Sequence, residues 1–437
     1  MSSHWSERAN VGREFMGNLV RKGFFHLLGA NLFTHAAGFI AQFGVAWLLL
    51  PVDIGRLRIL QTYGTLATIF SKFGFDSSVL KVCSEQRPAE EKRGLLRYGL
   101  QFVAVASVAV SIVLLVFNAL GLLSADVELR RYFYYYIPIL LALSLSDLQM
   151  YYLQALKMIS VMSKVQIATR SIGIVFMLVL TYFYQAVGYV AGLVVAAYFS
   201  LYWLHTIVRK FHGSVPRVTV PDAFRSHWKY ANYSFLANAL GQLNNYADLY
   251  LLNYLVSDRV DVGYYGFALM LLIPYNTVTG SIQQITTPYF SEYSTAFTTW
   301  RMLYNKYQRM VVPGVLAITL VSLVAVPPLV SFLFSNKYDN SLDYFAVLLG
   351  GWFVRNLYSL KGVAMWGLGE IRLNFFASLI ALPLTVVSGV FLITHFQTIG
   401  AAYANAVGQI ILFVLVSVIF RTVVRRRMAA NGSVKTP

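Results

Sequence analysis

Long apolar runs, separated by short polar segments, recur from one end of the 437-residue chain to the other. A run of about 20 apolar residues can cross a bilayer as a helix, because a helix satisfies its backbone polar groups internally. The pattern predicts an all-α polytopic membrane protein with about twelve transmembrane helices. These spans are placed at residues 24–50, 57–80, 95–123, 132–156, 162–184, 187–208, 227–255, 263–289, 310–334, 341–367, 372–395 and 399–423.

The composition agrees with this class. Hydrophobic residues make up 57% of the chain and charged residues only 12%, with a mean hydropathy of +0.60. A soluble protein carries roughly a quarter charged residues. Most of the 35 Lys and Arg fall in alternate loops and near both termini, so the positive-inside rule predicts that both termini are cytoplasmic. The net charge of +17 then reflects topology and contact with anionic lipids, and no nucleic-acid partner is expected.

The longest polar break divides the spans into two sets of six. We expect a basic cytoplasmic segment at 1–23, six-helix lobes at 24–208 and 227–423, a cytoplasmic linker at 209–226 and a basic cytoplasmic tail at 424–437. No loop is long enough to form a separate catalytic domain. The chain is therefore predicted not to be an enzyme and to have no catalytic residue, cofactor or metal ion.

Short phrases recur in the two sets at nearly constant spacing. VDIG at 52–55 returns as VDVG at 260–263, an offset of 208 residues, and the segment 186–198 resembles 398–410 at an offset of 212. Matching phrases must lie on the same side of the membrane, which requires an even number of spans per repeat. Two parallel repeats of six helices are a transporter architecture, with the substrate site between the halves.

Three segments resemble those of polysaccharide transporters. DLYLLNYLVSDRVDVGYYGFALML is similar to the segment that opens their second half, LVSFLFSNKYDNSLDYFAVLLGGWFVRNL to their FG-x-x-Y stretch, and IGAAYANAVG to their late GAA-x-A helix. The chain thereby resembles the Wzx-type O-antigen flippase branch of the multidrug/oligosaccharidyl-lipid/polysaccharide (MOP) exporter superfamily.

This resemblance implies a pair of six-helix lobes arranged in a V and transport by alternating access. The implied substrate is an undecaprenyl-diphosphate-linked oligosaccharide, an O-antigen, capsule or exopolysaccharide unit, moved across the bacterial inner membrane by an ion gradient. A polysaccharide polymerase and other assembly proteins are implied partners. The sequence agrees with transport driven by an ion gradient and not by ATP hydrolysis, since it has no G-x-x-x-x-G-K-[ST] loop for binding ATP.

Two alternative functions stay open. A multidrug cation antiporter of the same fold would need acidic residues to dominate its site, whereas cations dominate the inner half here. A membrane-embedded glycan polymerase or ligase would need a large outside loop with catalytic Arg or His, and the outside loops hold few basic residues and no histidine.

Charged residues inside the spans are the candidates for function, because an unpaired charge at membrane depth costs several kcal/mol. The basic candidates for a diphosphate-headgroup site are Arg355, Arg170, Lys72 and Lys361. Each has a simpler alternative except Arg355, which is hardest to explain as structural: Lys72 could pair with a carboxylate one turn away, Lys361 could reach to the interface, and Arg170 could anchor a helix end.

The acidic candidates for ion coupling or charge pairing are Asp248, Asp147 and Asp76. Asp76 lies four residues after Lys72, and Asp147 could pair with a cation from another span. Asp248 lies in the outer part of its span, and its counterpart in the first repeat is near Ile40. We expect it to be either a coupling carboxylate or the partner of a basic group; proton and sodium coupling both remain open.

Overall fold

The computed structural model describes residues 37–85, 87–212, 220–293 and 296–432, and in these ranges every regular element is an α-helix. The predicted N-terminal segment 1–23, the start of the first span, part of the linker and the end of the tail lie outside the described residues. The helices are α1 (Ala37–Leu48), α2 (Pro51–Lys72), α3 (Phe75–Ser84), α4 (Ala89–Ala119), α5 (Val127–Tyr136), α6 (Ile139–Ala155), α7 (Ile159–Phe211), α8 (Ala223–Leu255), α9 (Arg259–Leu271), α10 (Ile273–Glu292), α11 (Phe297–Phe334), α12 (Ser341–Gly367), α13 (Ile371–Phe396) and α14 (Thr398–Gly432).

The helices follow the predicted spans. Within the described ranges, five are long and apolar enough to cross a membrane, namely α4, α7, α11, α13 and α14. Three predicted spans are each covered by two consecutive helices, α2 with α3, α5 with α6, and α9 with α10. The prediction of an all-α, multi-span membrane protein is confirmed.

The break between α2 and α3 has a steric cause. Phe73 and Gly74 both have positive φ, 46° and 74°. A side chain at Gly74 would collide with the backbone carbonyl of Ala231 in α8. Only glycine combines this backbone conformation with so close an approach. The bend ends α2 at Lys72 and starts a new helix beside it.

Two hairpins have the same one-residue turn. Gln185 interrupts α7 with φ 53° and ψ −136°, and Gln397 separates α13 from α14 with φ 58° and ψ −138°. Three residues after each glutamine, a glycine (Gly188 or Gly400) packs against a backbone carbonyl of the preceding helix. The two turns lie 212 residues apart, so the structure carries the same repeat that the sequence phrases indicate.

Contacts divide the chain into two compact units. The first comprises Met1–Leu48, Ala67–Leu123 and Arg130–Leu236, and the second Leu49–Leu66, Ser124–Leu129 and Ala237–Pro437. The first packs around a core that includes Phe75, Leu148 and Tyr152. The second packs around a core that includes Trp300 and Phe420. These units follow packing, whereas the predicted lobes follow the sequence repeat, and the lobe boundaries stay a prediction.

The two repeated phrases meet inside the second unit. A Cβ atom on Gly55 of VDIG would lie 2.8 Å from the backbone nitrogen of Gly263 of VDVG. A Cβ atom on Gly263 would overlap the carbonyl of Pro51. The repeated glycines therefore allow the backbones of α2 and α9 to touch, a packing that small residues give to membrane helices.

We predict that Gly400→Val destabilises the protein by about 1–3 kcal/mol, because the added side chain would press on the carbonyl of Leu392. The measurement is the melting temperature of the purified chain in detergent. Gly314→Ala is the control, because a Cβ atom there meets open space and alanine favours a helix. Equal melting temperatures for Gly400→Val and the wild type would contradict the close packing of this hairpin.

Candidate functional site

Lys72 in the first unit lies between two carboxylates. Its Nζ is 3.0 Å from a carboxylate oxygen of Asp76 in α3 and 2.9 Å from one of Asp147 in α6. The bend at Gly74 turns α3 so that Asp76 faces the end of α2. Asp76 is buried, whereas 44% of the Asp147 side chain is exposed. One ammonium against two carboxylates leaves the trio acidic, so the Lys72 charge is already compensated within the chain.

Arg170 lies elsewhere in the first unit, on α7. Its side chain is exposed, and its guanidinium passes over Gly38 of α1, where a Cβ atom would overlap it. Among the described residues it makes no ion pair. The glycine therefore leaves room for the guanidinium.

Asp248 is buried in the second unit and bonds only to neutral groups. It is 4% exposed and follows Tyr246, where α8 is kinked (φ −131°, ψ 18°). Its carboxylate accepts hydrogen bonds from the hydroxyl of Tyr265, from Nδ2 of Asn405 at 2.9 Å and from the backbone N–H of Leu249 at 2.8 Å. No cation pairs with it in the described part of the chain.

A small cavity lies beside Asp248, between α8, α13 and α14. Its polar lining includes Asn244, Thr385, Asn405 and Gln409. Two of its oxygens, Oδ1 of Asn244 and Oγ1 of Thr385, are buried without a hydrogen-bond partner in the described structure. Nδ2 of Asn244 donates to two backbone carbonyls at 3.0 Å, which fixes the orientation of the amide. The cavity thus offers unpartnered oxygens and a carboxylate to a small cation or a proton.

The basic residues of α12 also lie in the second unit. Arg355 is half-buried and makes no ion pair with any described residue. Its neighbour Asn356 is buried in a network in which Trp352 donates to Thr279 at 3.0 Å and Thr279 donates to Asn356 at 3.1 Å. This network fixes the helix at the position of Arg355. Lys361 donates from Nζ to the hydroxyl of Ser417 in α14 at 2.7 Å.

The structure therefore brings Lys72, Asp76 and Asp147 together, whereas Arg170 makes no ion pair with either carboxylate. Asp248 has partners that the sequence analysis did not identify, namely Tyr265 and Asn405, and Thr385 lines the same cavity. A signal was present, since Asn244 and Asn405 are amides within predicted membrane spans. Neutral polar residues are common in such helices, and only packing shows which of them converge.

A second charge cluster lies in the second unit, at the ends of helices that we predict to be outside. Oδ2 of Asp126 is 2.9 Å from Nε of Arg56 and 3.7 Å from Nε of Arg259. Burial raises the pKa of the Asp126 carboxyl, but hydrogen bonds from Arg56 and from the backbone N–H of Leu129 outweigh burial and hold this pKa below its ordinary value. The cluster joins α2 to the start of α9 through the segment before α5.

Comparisons with known proteins agree with this architecture. A family model described as "Polysaccharide biosynthesis protein" matches residues 20–294. Among curated protein sequences, none matches the chain significantly.

Solved transporter structures share the fold at low identity. The lipid II flippase MurJ, in an inward closed conformation, superposes with a TM-score of 0.73 and 14% identity over 89% of this chain and 86% of that one. An inward-facing multidrug resistance MATE family transporter of the MOP superfamily superposes with a TM-score of 0.65 and 14% identity, over 94% of this chain and 99% of that one. A MOP superfamily transporter from Pyrococcus furiosus superposes with a TM-score of 0.60 and 13% identity, over 93% of this chain and 95% of that one. The family match confirms the resemblance to polysaccharide transporters that the sequence indicated, and the chain shares the fold of these solved structures.

We predict that Asp126→Asn lowers the stability at neutral pH by about 1–3 kcal/mol, since Arg56 and Arg259 lose their shared anion. Because the folded-state pKa of Asp126 is depressed, its contribution is present above the ordinary carboxyl pKa and is lost as the pH falls through the folded value. The melting-temperature difference from the wild type should therefore shrink on acidification. Asp343→Asn, at an exposed carboxylate of α12, is the control. A difference that grows towards low pH would contradict the assignment.

Proposed function

We propose that this chain, which belongs to the polysaccharide biosynthesis protein family, translocates an undecaprenyl-diphosphate-linked oligosaccharide across the bacterial inner membrane. An ion gradient drives the transport by alternating access, and both termini are cytoplasmic. A polysaccharide polymerase and other assembly proteins use the translocated product. The family match and the shared fold with a lipid II flippase support this proposal, and the polar chemistry of the helices adds the specific argument.

The observation that carries the proposal is the set of cations without carboxylate partners. Arg355, Lys361 and Arg170 make no ion pair within the described ranges, although Lys72 and Arg56 do. A charge at membrane depth is costly unless it is compensated, so each of these residues suits an anionic ligand. A diphosphate supplies the charge, and Arg binds its oxygens with two parallel hydrogen bonds. Lys72 contributes less, because Asp76 and Asp147 already compensate its charge.

Asp248 supports ion coupling. Its carboxylate is buried, has no cationic partner in the described chain and faces a cavity with unpartnered oxygens. Carboxylate, amide and hydroxyl oxygens are the ligands of hard cations, and a protonated carboxyl would suit the same site. Binding of a sodium ion or a proton there removes an uncompensated negative charge. Asp76 and Asp147 instead act as charge partners of Lys72.

The alternative is a multidrug cation antiporter, and two of the similar solved structures are multidrug resistance MATE family transporters. Its cationic substrates would be attracted to Asp248, but the cavity beside Asp248 is small. The unpaired cations of α7 and α12 would repel such substrates. The anionic lipid-linked substrate therefore fits these residues better.

The experiment that tests the function is deletion of the gene followed by complementation. We predict that deletion traps lipid-linked oligosaccharide in the inner leaflet and that Arg355→Glu fails to restore export while the protein still inserts, because a carboxylate repels the diphosphate. Surface glycan and the leaflet position of the intermediate are measured. Arg309→Glu, at an exposed arginine before the predicted span of α11, should restore export. Normal surface glycan in the deletion strain would refute the function, and normal export by Arg355→Glu would refute the role of Arg355.

A second prediction concerns coupling. Asp248→Asn should abolish gradient-driven transport while keeping the fold, since the amide replaces the carboxylate without its charge. Purified chain in proteoliposomes is tested with an applied proton gradient and, separately, a sodium gradient. Asp258→Asn is the control, because Asp258 only caps α9 and asparagine caps a helix equally well. Gradient-driven transport that survives in Asp248→Asn would show that another group couples the ion.

A further inference from the structure

Lys361 points at a neighbouring helix and not along its own helix towards the membrane surface. Nζ donates to Oγ of Ser417, which is 8% exposed, and lies 4.7 Å from the ring centre of Phe413, one turn earlier in α14. A lysine that only snorkels extends its ammonium into the headgroup layer. Here a buried hydroxyl and an aromatic ring hold the ammonium within the second unit.

Arg421 brings a second positive charge to the same place. It follows Ser417 by four residues, so it lies on the same face of α14 one turn further along. Its guanidinium is exposed and repels the Lys361 ammonium. In the part of the chain that the structure describes, neither residue pairs with a carboxylate.

This arrangement differs from the other cation clusters. Lys72 has two carboxylates, and Arg56 and Arg259 share Asp126. Two adjacent cations without an anion repel each other, and a bound anion removes that repulsion. The Lys361 ammonium keeps two N–H donors that Ser417 does not use. The Arg421 guanidinium offers a planar pair of N–H donors, and the Ser417 hydroxyl offers one more hydrogen-bond contact. Such donors on neighbouring turns of α12 and α14 match the oxygens of a phosphate group.

We propose that Lys361, Ser417 and Arg421 form a phosphate-binding site, and that it receives the diphosphate of a polyprenyl lipid at the inner end of α12 and α14. The assignment to a lipid rests on the proposed function, whereas the phosphate site itself does not. Ser417 and Arg421 are its new members: the hydroxyl positions the ammonium, and the guanidinium supplies bidentate contacts.

The test measures binding of inorganic pyrophosphate to the full-length chain in nanodiscs by isothermal titration calorimetry. Lys361→Gln and Arg421→Gln should each raise the Kd about tenfold or more, as expected when a charged hydrogen bond to an anion is lost. Ser417→Ala should raise it less. Arg425→Gln, at an exposed arginine one turn further along α14, should leave the Kd unchanged. Lys361→Arg should retain binding, which separates loss of charge from loss of fold. An unchanged Kd in the Lys361→Gln/Arg421→Gln double variant would overturn the site.

Competition identifies the source of the phosphate. Undecaprenyl diphosphate in the nanodisc should displace pyrophosphate, whereas undecaprenol and phosphatidylglycerol should not. Equal displacement by phosphatidylglycerol, or none by undecaprenyl diphosphate, would overturn the lipid assignment.

The two proposals fail separately. If glycan export is normal without the gene but the variants lose pyrophosphate binding, the phosphate site stands and the transport function falls. If export requires the gene but the double variant binds pyrophosphate as the wild type does, the site falls and the function stands.

Discussion

Compensation of charge inside an apolar environment is the constraint on which the polar chemistry of this chain depends. A lone ion within a membrane-crossing helix loses most of its hydration, so the fold must supply a counter-charge, hydrogen-bond donors or a ligand. Lys72 receives its counter-charge from two carboxylates in other helices. The steric break at Gly74 serves this pairing, because it ends α2 at the lysine and starts α3 next to it. The same local backbone geometry therefore ends the helix and compensates the charge of Lys72.

The second unit uses different solutions. Asp248 accepts hydrogen bonds from neutral donors, which stabilise its negative charge but do not neutralise it. Arg355, Lys361 and Arg421 have no carboxylate among the described residues. A transporter needs such groups, because a site that is fully satisfied by its own chain has no reason to bind a substrate or an ion. The distribution of satisfied and unsatisfied charges is the basis on which we propose functional roles for Asp248, Arg355, Lys361 and Arg421.

The sequence predicts the spans well because hydropathy is a local property, and it identifies the intramembrane charges because they are rare. The four-residue spacing predicts the Lys72–Asp76 pair, although the structure forms it across the break at Gly74 and not along one helix. No such spacing predicts the Lys72–Asp147 pair, which joins different helices and depends on how they rotate against each other. That Asn405 and Thr385 lie beside Asp248 could be learned only from the packing of the helices. The VDIG and VDVG phrases revealed the repeat, but their backbone contact at Gly55 and Gly263 required the three-dimensional structure.

The one-residue turns at Gln185 and Gln397 have a consequence for biosynthesis. A helix hairpin with no loop has no segment that could wait in water while its first helix enters the bilayer alone. We therefore expect the two helices on either side of each glutamine to enter the bilayer as a pair, with the glycine contact holding them together.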